Sequence, residues 1–411
     1  MGNCAAVLVP AEGHINPAAP ILAELAGRGE RVVTWATEPF RQQIERTGAE
    51  FRAYPSAFNS WPWPHEGGLL AGLAARLECA EQILPELVDS IAREAPDYLL
   101  LDAGATWGLL AAQILERPAA SITLAFVVDQ QLISEAALLR LLYGDTPAPA
   151  LLQALVNLAR LSETARRLDR RFGTRTPGVL GALACRQQVN LVLTSRSFQP
   201  CGESLDQSYV FVGRDAGPRP PAPAFPWEWL GAAPLILISM GTIHNGQVRF
   251  YQACFEAFTD LPCRCVLATG RGLDPGPVPA NFRVSEYVPQ LELLERARLF
   301  VTHCGSNSVH EALRAGVPML AYPQGSDHFA YAARLVELGA GLRVQPAADP
   351  ATLRSLALEI LGDPAFARQA RVLGDSLRAA GGAALAAESL LWLTTLGRTR
   401  SDRPGTAGAA S

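Results

Sequence analysis

Residues 287–334 read YVPQLELLERARLFVTHCGSNSVHEALRAGVPMLAYPQGSDHFAYAAR. An apolar run, Leu299–Thr302, has the length of a buried strand and gives way to His303-Cys304-Gly305-Ser306-Asn307-Ser308. A helical pattern starts near Ser306. A second apolar run, Met319–Tyr322, leads into Pro323-Gln324-Gly325-Ser326-Asp327-His328. Strands that alternate with helices are the sequence signature of a parallel sheet. Small polar residues at a helix start offer backbone N–H groups, hydroxyls and the positive end of the helix dipole, which together hold an anion without lysine. Ordinary capping is the alternative for Ser306 and Asn307. Glu311, about one turn into the helix, lies within reach of ribose hydroxyls.

The same alternation extends outward in both directions. Leu235–Ser239, Cys265–Ala268 and Gly341–Val344 read as further strands of the C-terminal half. Ala5–Val9, Arg31–Trp35, Tyr98–Leu101, Ala119–Thr123 and Leu191–Thr194 read as strands of the N-terminal half, with helices such as Pro17–Gly27 and Trp107–Leu115 between them. A mostly helical stretch, Glu135–Arg171, interrupts the pattern. Residues 213–234 contain six prolines, too many for any strand or helix interior, and read as a linker. The expected fold is α/β: two Rossmann-like, doubly wound parallel-sheet domains, 1–212 and 235–380, facing each other across a cleft. Residues 381–397 are expected to form a helix that packs back on the first domain, and 398–411 a disordered tail.

Composition narrows the chemistry. All 35 basic side chains of the 411 residues are arginine, so a Walker-type phosphate loop, a Schiff-base lysine and a kinase lysine are all excluded. Length suggests two or three domains, at about 150 residues each. A net charge of −4 with no basic block argues against nucleic acid as a partner. The eight cysteines include no C-x-x-C pair and read as buried free thiols in a reducing cytosol. No stretch reaches the about 18 apolar residues of a membrane span. The apolar start, CAAVLVP, lacks a basic leader and reads as a first strand rather than a signal peptide. The expected location is the cytoplasm.

After that strand comes Gly13-His14-Ile15-Asn16-Pro17. A histidine at the carboxyl end of a strand can serve as a general base near neutral pH, or simply cap the following helix.

Together the two stretches resemble the signature of family 1 glycosyltransferases, the UDP-glycosyltransferases of plant secondary metabolism and their bacterial macrolide- and polyketide-glycosylating relatives. The resemblance covers most of the chain, most strongly the C-terminal domain, and reaches the N-terminus through the G-H-x-N-P loop at Gly13–Pro17. It implies a GT-B fold, an N-terminal acceptor-binding domain and a C-terminal nucleotide-sugar-binding domain. It also implies inverting, metal-independent transfer with UDP as product and no cofactor. Tyr287 stands where the family stacks an aromatic on the uracil. Gln290, in Val288-Pro289-Gln290, matches the nucleoside-contacting glutamine. His303 matches the diphosphate-binding histidine; Asn307 and Ser308, after Gly305 and Ser306, match the residues that hold phosphate from the helix start. Glu311 matches the ribose carboxylate. Gln324, Asp327 and His328 belong to the loop that reads the sugar, and Ser239, Gly241 and Thr242 to the turn on the other side of the diphosphate. His14 matches the base that deprotonates the acceptor hydroxyl, and Asp102, ending Tyr98-Leu99-Leu100-Leu101-Asp102, the carboxylate that orients it. Capping of the following helix is the other role open to Asp102.

Three positions depart from the pattern. Tyr287 replaces the commoner tryptophan, Ser306 stands where plant members usually carry a tryptophan against the sugar, and His328 replaces the glutamine of many glucosyltransferases. For the acceptor, Trp61, Trp63 and His65 form an aromatic loop that Phe126 could join, or that packs on its own domain. Two look-alikes carry no function. Pro275, Pro277 and Pro279 forbid the helix that a dinucleotide loop at Gly270–Gly276 would need, and His310-Glu311 lacks a second histidine at i+4. The sequence thus points to a transferase moving a hexose from UDP-glucose or a similar donor to a hydroxyl of a lipophilic small molecule, as a monomer or weak homodimer. A non-catalytic homologue and a nucleotide-sugar 2-epimerase are the alternatives.

Overall fold

A computed structural model of the protein describes residues 2–60, 68–134, 148–215, 224–241, 246–345 and 349–401; the side chains of 148–150, 326 and 395–401 are not described. The chain forms two compact units, one of Met1–Pro218 with Ala380–Ser411, the other of Arg219–Ala379.

The first unit is built on seven parallel strands: β1 (Asn3–Val7), β2 (Arg31–Ala36), β3 (Glu50–Ala53), β4 (Tyr98–Asp102), β5 (Ala119–Thr123), β6 (Val189–Val192) and β7 (Tyr209–Phe211), in the order β3-β2-β1-β4-β5-β6-β7. Continuous apolar runs suit strands covered on both faces. In β4 all five residues are buried; Leu99 and Leu101 enter the core on one face, Tyr98 and Leu100 the core on the other. The longer helices are α1 (Glu12–Gly27), α2 (Gly68–Arg93), α3 (Thr106–Ile114) and α4 (Ala148–Phe172), with α10 (Gly382–Ser401) supplied by the C-terminus. Helices α2, α3 and α4 cover the Leu99 face, and α1 and α10 the other. Ala386, Ala387, Leu390 and Leu393 of α10 are buried there, and Thr394 donates to Glu30 at 3.1 Å.

The second unit has six parallel strands: β8 (Leu235–Ser239), β9 (Arg264–Ala268), β10 (Phe282–Ser285), β11 (Ala297–Thr302), β12 (Met319–Ala321) and β13 (Gly341–Arg343), in the order β10-β9-β8-β11-β12-β13. Its longer helices are α5 (Val248–Phe258), α6 (Ser306–Arg314), α7 (Ser326–Glu337), α8 (Pro350–Gly362) and α9 (Pro364–Ala379).

In each sheet the strand order reverses once, at β1/β4 and at β8/β11, and loops beyond the carboxyl ends of such strands are where ligands bind. Register brings the relevant ends level. Val7 pairs with Leu101, so the chain leaving β1 emerges beside Asp102, and Ser239 pairs with Thr302, so the turn after β8 emerges beside His303.

Several expectations need correction. Strands β3, β7 and β10 are absent from the sequence reading, and all three are sheet edges. Strand β3, which reads EFRA, and β10, which reads FRVS, are short and partly uncovered and lack a continuous apolar run, whereas β7, YVF, is apolar but only three residues long. Helix α1 starts at Glu12 rather than Pro17, because Pro17 and Pro20 only deprive the Gly13 and Asn16 carbonyls of a helical N–H partner. The end of the expected linker is folded. Trp227–Leu230 forms a short 3₁₀ helix, with the Arg296 and Arg264 guanidinium groups 4.6 and 4.9 Å from the ring centroids of Trp227 and Trp229. The last helix runs through Gly397 to Ser401 rather than ending at 397, and the next helix-barring residue is Pro404. Of the eight cysteines, none in a disulfide, seven are buried and Cys201 is exposed. No helix among the described residues is long and apolar enough to cross a membrane.

Candidate active site

In the first unit, His14 lies in the first turn of α1 and Asp102 ends β4. His14 Nδ1 and Asp102 Oδ2 are 2.7 Å apart, with the histidine side chain 30% exposed and the aspartate 2%. Asp102 is otherwise held by backbone: Val9 N–H donates to Oδ2 at 3.3 Å and Gly104 N–H to Oδ1 at 2.7 Å. A carboxylate that accepts from two backbone groups acts as an acceptor toward the imidazole as well, so Nδ1 carries the proton and Nε2 keeps its lone pair. Asp102 caps no helix. The residue preceding α3 is Ala105, without a side-chain capping bond. Gly104 packs closely on the pair: a Cβ there would stand 3.1 Å from Val9 Cγ2, 3.2 Å from Asp102 Oδ1 and 3.3 Å from His14 Cε1, and would press on all three.

Two residues that the sequence reading did not single out support this pair. Tyr54 donates its hydroxyl to the Leu8 carbonyl at 2.6 Å and receives the Trp107 indole N–H at 3.1 Å, bracing the turn from which Val9 donates to Asp102. Both rings pack with Phe58, and burial pushes the Tyr54 phenol up, which keeps it a neutral donor. Nothing marked them in the sequence, where an aromatic beside an edge strand or in an apolar helix reads as core. Of the proposed acceptor residues, Phe126 follows β5 and its ring lies 5.4 Å from that of Phe198; Trp61, Trp63 and His65 lie outside the described residues.

In the second unit, His303 follows β11 directly and α6 begins at Ser306, with Gly305 at its N-cap position. The His303 ring is enclosed by glycines: a Cβ on Gly305 would lie 2.4 Å from Nε2 and one on Gly241 2.6 Å from the ring, and Gly241 also has φ +76°. The His328 ring meets His303 edge-on at 4.6 Å, and both histidines are buried. Ser239 is buried at the end of β8, with its hydroxyl accepting from Gly241 N–H at 3.4 Å; Thr242 lies outside the described residues. Ser308 is buried in the first turn of α6 beside the partly exposed Asn307. The Ser306 hydroxyl instead contacts the Tyr331 hydroxyl at 2.9 Å, bracing α6 against α7.

Gln290 donates to Glu311 at 2.7 Å, joining the two candidate nucleoside and ribose ligands. Tyr287 is 45% exposed, and the Arg271 guanidinium lies 5.7 Å from its ring centroid. Arg271 comes from the loop Gly270–Gly276, which is irregular and followed by no helix. Gln324 donates to Met240 Sδ at 3.4 Å, whereas its buried Oε1 has no partner among the described residues. The Asp327 side chain is largely open, 3.9 Å from His328 Nε2.

Comparison with known proteins converges on one family. Residues 258–387 match the model of the erythromycin biosynthesis protein CIII-like C-terminal domain. The chain is 30% identical to the uncharacterized UDP-glucosyltransferase YojK of Bacillus subtilis over 95% of this chain and 97% of that protein. It is 31% identical to the oleandomycin glycosyltransferase of Streptomyces antibioticus, over 92% and 88%. The solved structure of the glycosyltransferase of kitacinnamycin superposes with a TM-score of 0.81 at 30% identity, covering 96% of this chain and 99% of that one. The chain belongs to the family 1 glycosyltransferases of GT-B fold and is a glycosyltransferase.

Proposed function

We propose that the protein transfers a hexose from a nucleotide-diphosphate sugar, UDP-glucose or a close relative, to a hydroxyl of a lipophilic small molecule, with inversion and without a metal. The carrying observation is the 2.7 Å contact between His14 and Asp102. His14 Nε2 removes the acceptor proton as the hydroxyl oxygen attacks the anomeric carbon. The bond from that carbon to the β-phosphate oxygen breaks, and the nucleoside diphosphate leaves with the bonding electrons. Asp102 holds the imidazole in the required tautomer and stabilises the imidazolium as the proton arrives. Attack opposite the leaving group inverts the anomeric centre.

On the donor side, His303 and the N–H groups opening α6 meet the diphosphate, a grip that requires neither lysine nor a metal ion. Gln290 and Glu311, already joined, offer the nucleoside and ribose their remaining hydrogen-bonding capacity. The unpartnered Gln324 oxygen suits a sugar hydroxyl, and Asp327 and His328 complete that loop. A glucose donor is supported by the name of the Bacillus relative, and a lipophilic natural-product acceptor by those of the oleandomycin and kitacinnamycin proteins.

The test is a panel of UDP- and dTDP-hexoses run with EDTA against phenolic and macrolide acceptors, with product mass and anomeric configuration recorded. Hexosides of inverted configuration formed in EDTA are expected. A strict metal requirement or a retained configuration would overturn the mechanism.

A further inference from the structure

The second unit holds two thiols that the proposed chemistry does not use. Cys263 and Cys265 flank Arg264 at the start of β9, and their sulfurs lie 3.7 Å apart. In a regular strand, residues two apart face the same way but stand about 6.6 Å from each other, near the limit a disulfide spans. Cys263 precedes the strand, however, and the chain bends there, with its N–H turned back to the Leu261 carbonyl at 2.7 Å. Cys265 is fixed in place. It is fully buried, pairs with Ile236 on one side and Phe282 on the other, and donates its N–H to the Asn281 carbonyl at 2.9 Å. Cys263 ends the loop from α5, follows the exposed Pro262 and is 7% exposed, so it is the more reachable of the two. A disulfide holds its sulfurs at about 2 Å, so closure asks for an approach of about 1.7 Å.

We propose that Cys263 and Cys265 are a hydroperoxide-sensitive dithiol that closes reversibly to an intrachain disulfide. The pair lies at the amino edge of its sheet, opposite the loops that carry the donor residues, and is independent of the transferase reading. The Cys263 thiolate attacks one oxygen of the hydroperoxide. The O–O bond breaks, and the other oxygen leaves as hydroxide or alkoxide and takes up a proton. Cys265 then gives up its proton, its sulfur attacks the sulfenic acid on Cys263, the S–O bond breaks and water leaves. The two thiols together lose two electrons, and the hydroperoxide gains them. Hydrogen bonding by Cys265 favours the thiolate at Cys263 against the burial that opposes it. The charge of Arg354, whose guanidinium donates to the Ala257 carbonyl at 3.0 Å, adds to that effect. Burial by contrast pushes the Cys79 and Cys185 thiols up to about 12.

The experiment exposes reduced protein to hydrogen peroxide, blocks the remaining thiols with N-ethylmaleimide under denaturing conditions and maps tryptic peptides by mass. Trypsin cuts after Arg264, so a Cys263–Cys265 bridge joins peptides 250–264 and 265–271 at a mass lighter by two hydrogens. Dithiothreitol is expected to separate them again. The first peptide also holds Cys254, so the link is expected to persist in Cys254→Ala and to be lost in Cys263→Ser. Fragmentation of the joined wild-type peptides assigns the bridge without any variant. In Cys265→Ala, Cys263 is expected to stop at a sulfenic acid that dimedone traps. The bridge should form at least about tenfold faster than Cys79 or Cys185 is oxidised. The inference is overturned if peroxide that oxidises the exposed Cys201 leaves the two peptides separate, if the link runs through Cys254, or if it joins two chains.

Discussion

The two units carry their functional residues in different ways. In the first, the proposed chemistry is concentrated in one contact, His14 with Asp102, made by residues 88 positions apart on two elements. In the second the proposed donor groups are spread along the segments after β8, β10, β11 and β12, with several already braced by neighbours: Gln290 by Glu311, Ser306 by Tyr331, and His303 by its glycine cradle. A proton relay of two groups fails as a whole when either fails, whereas a binding surface of many hydrogen bonds loses affinity in steps.

That contrast is open to direct test. His14→Ala is expected to lower turnover by about a thousandfold while UDP affinity, measured by calorimetry, stays unchanged. Turnover near wild type would remove His14 from the chemistry. Asp102→Asn keeps the size of the side chain but leaves one oxygen to serve Val9, Gly104 and His14. A loss of about a hundredfold in kcat, with donor KM little changed, is expected. A pure stability defect, seen as a lowered melting temperature with normal kcat, would make Asp102 structural only.

On the donor side the effects should be graded and appear in KM. His303→Ala should raise donor KM about ten- to a hundredfold, the worth of a charge-assisted hydrogen bond, with kcat affected less. Gly305→Ala should act in the same direction but more weakly, because its Cβ presses on the His303 ring without removing it. If its donor KM matched wild type, the cradle would have no role in aiming His303. Tyr287→Ala should weaken UDP binding by about two- to tenfold, the range of one aromatic stacking contact. Should any single donor-side variant abolish turnover as completely as His14→Ala, the contrast between the units would collapse.

How much was legible beforehand followed physical locality. The central strands β1, β2, β4, β8, β9 and β11 announced themselves because strands covered on both faces are continuous apolar runs. The edges β3 and β10 did not, since partial exposure breaks their run, and β7 did not because its apolar run is only three residues long. The motif from His303 to Glu311 was readable because it follows one strand into one helix. Tyr54 and Trp107 were invisible because their hydrogen bonds run to backbone and side chains far along the chain. Tyr331 likewise gave no sign of bonding Ser306, which had been expected at the donor.

By itself, then, the sequence determined the alternation of strand and helix, the small polar helix start of α6 and the exclusion of lysine chemistry, because each is written in residue type and short-range period. The tertiary structure alone decided which ends meet. Parallel pairing of Val7 with Leu101 and of Ser239 with Thr302 sets the strand ends level, and from that register follow the His14–Asp102 contact and the enclosure of His303. A register is a property of two strands at once. No local pattern encodes it, and a shift of one residue would turn every side chain to the opposite face.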